Sequence, residues 1–212
     1  MHATRASAIL AATMFGVGML TAPLASAVTA PATMAEFTAD QPSHTLSVRY
    51  RSWRDPAFGD MGWTHFSKWG KFEAKKGQHI TIKAVSANPD LHPGITVWSR
   101  SAEDTAPDNY VTDHFYVQNA PQYVLGAKDE STGAELGDII MRVADYGYDL
   151  DNNVRIRGLD GVKDGVPGQL ILNFRARKTA TYVFVVGGVN PEPGAADPKA
   201  LYDVVTEVMV QP

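Results

Sequence analysis

His79-Ile80-Thr81-Ile82-Lys83-Ala84-Val85 decides the fold, because apolar and polar residues alternate along it. A period of two places every second side chain on the same face of a β-strand. Eight further short runs that favour strands lie at 46–50, 95–98, 114–117, 139–143, 154–157, 170–174, 182–186 and 204–210. Turn-forming residues separate these runs, His92-Pro93-Gly94 among them, and no convincing amphipathic helix appears. The sequence therefore predicts an all-β fold: an antiparallel β-sandwich or jelly-roll-like single domain with long irregular loops.

The N-terminal residues have the composition of an export signal. Arg5 supplies the positive charge, a short apolar run follows it, and Ala25-Ser26-Ala27 forms a small-residue cleavage site. Residues 1–27 are predicted to be a secretory signal peptide, 28–44 a flexible leader, and 45–212 the β domain. No later run is long and apolar enough to span a bilayer, so we expect a secreted or outer-surface protein without a transmembrane segment after cleavage.

Composition excludes several classes of function. The chain contains no cysteine, so disulfides, thiolate zinc clusters, iron–sulfur centres and cysteine-ligated copper are ruled out. Removal of residues 1–27 takes away one charged side chain, Arg5, and changes the formal net charge from −4 to −5. An acidic balance argues against nucleic acid as a partner, since nucleic-acid binding needs a basic surface.

Trp63 and His65 are two residues apart within the irregular, aromatic segment 51–70. In an extended backbone both side chains lie on one face, roughly 6.6 Å apart, with Met61 one step earlier on that face. Imidazole and thioether groups are ligands for soft or borderline metals. A long, aromatic, glycine-punctuated connection in a compact domain is typical of a segment that packs or functions, and packing is the simpler interpretation for Met61.

A metal site on a sandwich needs a further ligand that folding brings in from a distant strand. His114, 49 positions after His65, is the candidate, and neutral imidazole suits copper, zinc or nickel. The alternative is that both are ordinary loop or sheet histidines, because spacing of this kind is weak evidence.

Asp149, Asp151 and Asn153 form a second candidate cluster, since their side-chain oxygens at i, i+2 and i+4 could bind calcium. The calcium loop of an EF-hand would then need Gly at Val154 and Glu at Asp160, so that template fails. A solvated Asp/Asn turn is the alternative.

Enzyme signatures are missing from the chain. No nucleophile elbow, phosphate loop, dinucleotide fingerprint or zinc-protease helix is present. Copper monooxygenases that act on polysaccharides need an N-terminal histidine, whereas the predicted mature terminus is Val28. A copper oxidase would need an open ligand position and a substrate cleft, to which nothing in the sequence points. We therefore expect a protein that is not an enzyme.

Gly62-Trp63-Thr64-His65 together with the later His114 resembles a known family, the copper-repressible, surface-associated copper-binding proteins of methane-oxidising bacteria (CorA and the secreted C-terminal part of MopE). The resemblance covers most of 45–212. It implies that Trp63 is oxidised to kynurenine, and that the resulting aromatic amine, His65 and His114 bind one copper ion, as Cu(I) or Cu(II).

Two functions follow as hypotheses. The first is an exported copper-binding protein for copper acquisition or homeostasis at the cell surface, with outer-membrane surface components as candidate partners. The second is an extracellular interaction module that displays Trp53, Trp63 and Trp69 to carbohydrate or protein.

Overall fold

The structure is a computed structural model that describes residues 34–53, 66–108, 122–128, 132–153, 155, 161–189, 197 and 199–212. Within these residues there are eleven strands and no helix. The strands are β1 (Ala35–Glu36), β2 (Ser43–Val48), β3 (Lys68–Ala74), β4 (His79–Ser86), β5 (His92–Arg100), β6 (Gln122–Lys128), β7 (Glu135–Asp149), β8 (Gly161–Val162), β9 (Gln169–Arg175), β10 (Ala180–Val189) and β11 (Tyr202–Gln211). It follows that no helix in the described part of the chain could cross a membrane.

The strands form two sheets that pack face to face. The larger sheet has the order β1-β3-β10-β5-β7-β6, with β8 paired to β7, and the smaller has the order β2-β11-β4-β9. Every pairing is antiparallel except the two short ones, β1 with β3 and β7 with β8. This confirms the predicted all-β, sandwich-like fold.

The inner core lies between the two sheets. The alternation that predicted β4 is borne out there, because Ile80, Ile82 and Ala84 are all buried by 99% or more. They pack with apolar residues from both sheets, including Leu170 of β9 and Phe184 of β10. The alternating pattern therefore decided which face of the smaller sheet points inward.

The outer face of the larger sheet carries a second apolar group, which we call the outer cluster. Its buried members are Trp53, Trp69, Trp98, Ala106, Ala127, Ile139, Met141, Tyr148, Val183, Val185 and Val189. On β10, Phe184 and Val186 belong to the inner core, whereas Val183 and Val185 belong to the outer cluster. Strands buried on both faces are continuously apolar, which explains the unbroken run on β10.

Two predictions about local structure are wrong. Residues 34–44 are not all flexible leader, because 35–36 form β1 and Phe37 is 96% buried against the ring of Phe184. His92-Pro93-Gly94 is not a turn but the start of β5, paired with 187–189 of β10. In both places a contact distant in sequence overrides the local preference of Pro, Ala and Gly. The predicted strand at 114–117 lies outside the described residues.

We expect Leu170→Ala to lower the free energy of unfolding by about 2–5 kcal/mol, because it leaves a cavity in the inner core. Leu170 is fully buried, whereas Val166, only a few residues earlier, is 47% exposed. Val166→Ala is the matched control and should change stability by less than about 0.5 kcal/mol. Chemical denaturation followed by fluorescence measures both, and equal effects would contradict this assignment of the core.

Tyr50 provides a test at high pH. Burial raises the pKa of its hydroxyl to about 12, and electrostatic repulsion from Tyr202 and Asp90 adds to the shift. Among the described residues the hydroxyl has no hydrogen-bond partner. A pKa raised on folding contributes stability below the unfolded pKa of about 10 and loses it as pH rises towards 12. We expect Tyr50→Phe to leave stability at pH 7 unchanged or higher and to flatten its decline between pH 10 and 12, as measured by urea denaturation. An equally steep decline in the variant would exclude Tyr50 as its source.

Candidate metal centre

The three predicted copper ligands, Trp63, His65 and His114, lie outside the described residues, and so does Met61. The chain on either side of them is described, so the scaffold that carries them can be examined. Segment 54–65 follows Trp53 and precedes Phe66, and segment 109–121 follows Asp108 and precedes β6.

Trp53 fixes the chain before the first segment. Its indole lies against the backbone of β5 at Gly94, where an added Cβ would come within 2.3 Å of Trp53 Cδ2. The indole Nε1 donates a buried hydrogen bond of 3.0 Å to Thr96 Oγ1, and the Tyr148 ring lies 6.0 Å away. Gly94 is therefore needed for close approach, and the Trp53 side chain is held on three sides.

The backbone before Trp53 is also fixed, in this case to β10. Ser52 N donates to Gly188 O at 3.1 Å, and Gly188 N donates to Ser52 Oγ at 2.9 Å. Gly187 permits this contact, because a Cβ there would lie 2.6 Å from Trp53 N. The first segment therefore starts from a rigid point on the larger sheet.

The chain after the first segment returns to the same sheet. Phe66 is 43% exposed, and the guanidinium carbon of Arg49 lies 3.8 Å from the centre of its ring, in cation–π geometry. Trp69, three residues later, is buried and stacks on Trp98 with ring centres 5.5 Å apart. The Arg49–Phe66 contact thus joins the two ends of the connection that contains Trp63 and His65.

The second segment is fixed at both ends on the same sheet. Ala106 precedes it and Ala127 follows it, and both belong to the outer cluster. The flanks of the two segments therefore meet in one apolar cluster on one face. Loops that start from a rigid scaffold are a common place for metal sites. Within the described ranges no three His, Asp or Glu side chains are placed to share a metal ion.

Asp149 and Asp151, two of the three predicted calcium ligands, lie at the end of β7 and in the turn that follows it, and they are buried rather than solvated, with 0% and 9% exposure. Asp149 Oδ2 accepts from Gly168 N at 2.7 Å and lies 2.7 Å from His92 Nδ1, while Asp149 Oδ1 accepts from Asp151 N. These contacts replace water around the Asp149 carboxylate with donors from the protein.

Asp151 is satisfied in a similar way. Its Oδ2 accepts from Asp164 N and Gly165 N at 2.7 and 2.8 Å. Burial works to raise the pKa of Asp151, but these hydrogen bonds outweigh it and the pKa is lowered. Asn153 Nδ2 donates to Asp149 O. A calcium ion would have to replace several of these N–H donors, and calcium at this turn stays a prediction.

His92 is the buried polar residue that sequence reasoning missed. It is 3% exposed and pairs with Asp149, 57 positions away. The only signal in the sequence was its presence beside Pro93 and Gly94, which indicated a turn.

The burial of Trp53 and Trp69 corrects the second functional hypothesis. They are 4% and 5% exposed, so they do not form a displayed aromatic surface. The large indole rings instead cover the outer face of the sheet, where they remove apolar area from water. Trp63, the third tryptophan of that hypothesis, lies outside the described residues.

Comparison with known proteins yields one family and two informative structures. A family model described as "Copper(I)-binding protein CorA-like" matches residues 25–196. A solved structure of CorA, described as a surface-associated copper-binding protein important in copper acquisition by Methylomicrobium album BG8, is 29% identical with a TM-score of 0.71. The alignment covers 84% of this chain and 98% of that one.

The second structure is mercury-soaked MopE, a secreted protein of Methylococcus capsulatus in which an oxidised tryptophan is described as facilitating copper binding. It is 19% identical, has a TM-score of 0.58, and the alignment covers 86% of this chain and 93% of that one. At that identity the likeness concerns the fold. No curated protein matches the chain. The family match extends over both loop segments and most of the sandwich, and the chain therefore belongs to the CorA-like family of copper(I)-binding proteins.

Proposed function

We propose that this chain is an exported copper-binding protein that serves copper acquisition or homeostasis at the cell surface. The observation that carries the proposal is the family match over residues 25–196, which include both segments with the predicted ligands. CorA of Methylomicrobium album, described as surface-associated and important in copper acquisition, supports the cellular role. Copper is cargo in this proposal and no catalytic turnover is involved. Outer-membrane surface components are the candidate partners.

The proposed site is mononuclear and consists of His65, His114 and the kynurenine formed from Trp63. The flanks of the two segments support this pairing, because Trp53 and Trp69 beside the first and Ala106 and Ala127 beside the second belong to the outer cluster. The chain offers no thiolate, so nitrogen ligands are the natural alternative. Few imidazole ligands suit Cu(I) and also accept Cu(II), and the Irving–Williams order favours copper over other divalent ions. Met61 is kept as a packing residue beside the site.

The modification of Trp63 explains why a tryptophan is needed there. An intact indole offers only an N–H donor and no usable lone pair. Cleavage of the indole C2–C3 bond by dioxygen would give N-formylkynurenine, from which water would release formate; bound copper would supply the redox chemistry that promotes this oxidation. The product carries an aromatic amine whose nitrogen can bind copper.

The first test removes the imidazoles. We expect wild-type protein to bind one copper ion, and the double variant His65→Ala/His114→Ala to lose at least about a hundredfold in affinity. Loss of the groups that hydrogen-bond to metal ligands typically costs about 10–100-fold in metal affinity, so loss of two direct ligands should cost more. Competition with a Cu(I) chelator and metal analysis measure the effect. His79→Ala is the control, because His79 is an exposed histidine that contacts Arg175 on the smaller sheet. Equal copper binding by wild type and double variant would refute the ligand assignment.

The second test concerns the oxidised tryptophan. Protein purified from its native host should have an intact mass that includes one oxygen more and one carbon less than the sequence of the mature chain. Trp63→Phe should abolish this difference, whereas Trp98→Phe, at a fully buried site in the outer cluster, should retain it. Peptide mapping locates the modified residue. An unmodified Trp63 in copper-loaded native protein would contradict the kynurenine ligand.

A further inference from the structure

Two turns that pass between the sheets carry a concentration of positive charge at one end of the sandwich. The first turn, 75–78, joins β3 to β4, and the second, 176–179, joins β9 to β10. Five basic residues lie on or beside these turns, and we call them the basic end: Lys75, Lys76, Arg175, Arg177 and Lys178. Four of the five are exposed and the fifth, Lys178, is partly buried. The whole chain has a formal net charge of −4, so the positive charge is local to this end.

The two turns are joined to each other by hydrogen bonds. Gly77 N donates to Ala176 O and Ala176 N donates to Gln78 O, each at 2.8 Å. Lys76 N donates to Thr179 Oγ1 at 3.0 Å. The basic side chains therefore project from one hydrogen-bonded backbone unit, and they are held together as a group before any partner binds.

Acidic side chains offset only part of this charge. Glu73 Oε1 accepts from Thr181 Oγ1 at 2.6 Å. Asp145 lines a cavity of about 620 Å³ together with three of the basic side chains. In the described part of the chain none of the five basic side chains forms an ion pair. The charge balance at this end is therefore positive, and the ammonium and guanidinium groups are available to an anion outside the molecule.

An apolar cavity of about 500 Å³ lies beside the first turn. Lys75 of the basic end lines it, and so does Lys71, which pairs with Glu36 at 3.7 Å. Its apolar wall consists of residues that are mostly buried: Phe37, Phe72, Ala74, Val208 and Val210. A cation beside an apolar wall matches a ligand that has an anionic head and a hydrocarbon part.

Anionic lipid is the class of partner that fits these features best. Clusters of about four to eight Lys and Arg side chains attract the phosphate groups of such lipids. The basic end has this number, and its side chains are exposed on turns instead of converging in a closed pocket, as a site for one small anion requires. Nucleic acid is a poorer match, because its binding needs a broad basic surface and the chain as a whole is acidic.

We propose that the basic end docks the protein onto a lipid surface that displays phosphate groups. The inference deepens the proposed function, because it supplies a mode of attachment at the cell surface, and it rests on that proposed location. Copper takes no part in the attachment. Trp53, which precedes the first loop segment, contacts Gly94 and Gly188 at the opposite end of the larger sheet. Docking through the basic end therefore leaves the opposite end facing the solvent.

The test measures how the mature, copper-loaded protein binds lipid vesicles. Vesicles of phosphatidylcholine alone are compared with vesicles that contain equal amounts of phosphatidylcholine and phosphatidylglycerol, and bound protein is measured by sedimentation. We expect binding to the anionic vesicles only. Binding should disappear when the ionic strength rises from about 0.1 M to about 1 M, because the screening length falls from about 10 Å to about 3 Å.

A triple variant, Lys75→Gln/Lys76→Gln/Arg177→Gln, removes three charges from the basic end. We expect it to bind the anionic vesicles about a hundredfold more weakly, because each basic side chain near an anionic bilayer contributes about fivefold to the affinity. All three side chains are exposed, so the sandwich should form as in wild type. If the triple variant does not fold, the single variants Lys75→Gln and Lys76→Gln replace it, with an expected loss of about fivefold each.

The matched control makes the same change in net charge elsewhere. Lys68→Gln/Lys163→Gln/Lys199→Gln removes three exposed lysines that lie at the opposite end of the sandwich, near the start of β3, after β8 and before β11. This control should bind the anionic vesicles within about threefold of wild type. An equal loss in both triple variants would show that only the net charge matters and would overturn the docking surface.

Other outcomes separate the candidate partners. Equal binding to neutral and anionic vesicles would contradict the role of phosphate. Displacement from vesicles by soluble glycerol phosphate, at constant ionic strength, would reveal a site for a single small anion and overturn docking to a surface. Binding to soluble dextran sulfate without binding to vesicles would make an anionic polysaccharide the partner and refute the lipid.

The copper site is assessed separately in the same proteins. The basic-end triple variant should bind Cu(I) with the affinity of wild type. If wild type binds copper but not the anionic vesicles, the attachment fails while the copper-binding proposal stands. If wild type binds the vesicles but no copper, the copper-binding proposal fails and the lipid-docking surface remains.

Discussion

The packing of aromatic side chains against the outer face of the larger sheet is the constraint on which the course of its connections depends. A two-sheet sandwich buries only its inner faces unless something covers the others, and here large strand side chains of the sheet itself provide the cover together with Trp53 and Ala106 from the connections. Trp53 reaches the backbone of β5 at Gly94, and Trp69 stacks on Trp98. Because the chain has no cysteine, no disulfide can hold these connections in place. Their order comes from apolar burial and from the hydrogen bonds at Gly188 and Thr96.

The fold was predictable from the sequence where one face of a strand is buried and the other face is exposed to solvent. β4 and β11 show clear alternation, and both were predicted within one or two residues of their observed bounds. Prediction failed where a partner distant in sequence decides the conformation. β1 consists of two residues and exists because it pairs with β3. Gly94 favours a turn in isolation, yet it lies in a central strand because its missing side chain makes room for Trp53.

The candidate site shows the same division between local and distant information. The type of residue that could bind a metal was predictable from the sequence, because a chain without cysteine has imidazole as its main ligand for a borderline metal. Buried polar pairs could not be predicted. Arg100 and Asp104 are only four positions apart, but nothing local reveals that both are buried or that the guanidinium donates to the carbonyl groups of 106–108. The pairing of His92 with Asp149 joins residues 57 positions apart.

The two apolar groups give the molecule a separation of roles. The inner core is built from strand residues of both sheets, so its packing determines whether the sandwich forms. The outer cluster contains residues from the connections as well as from the strands, so its packing determines where those connections run. A substitution in the inner core should therefore act mainly on folding. A substitution at a loop residue of the outer cluster should act mainly on the positions of the loops. Copper affinity can then change while the sandwich stays folded. Members of a copper-binding family can therefore bind the metal with different affinities on one scaffold.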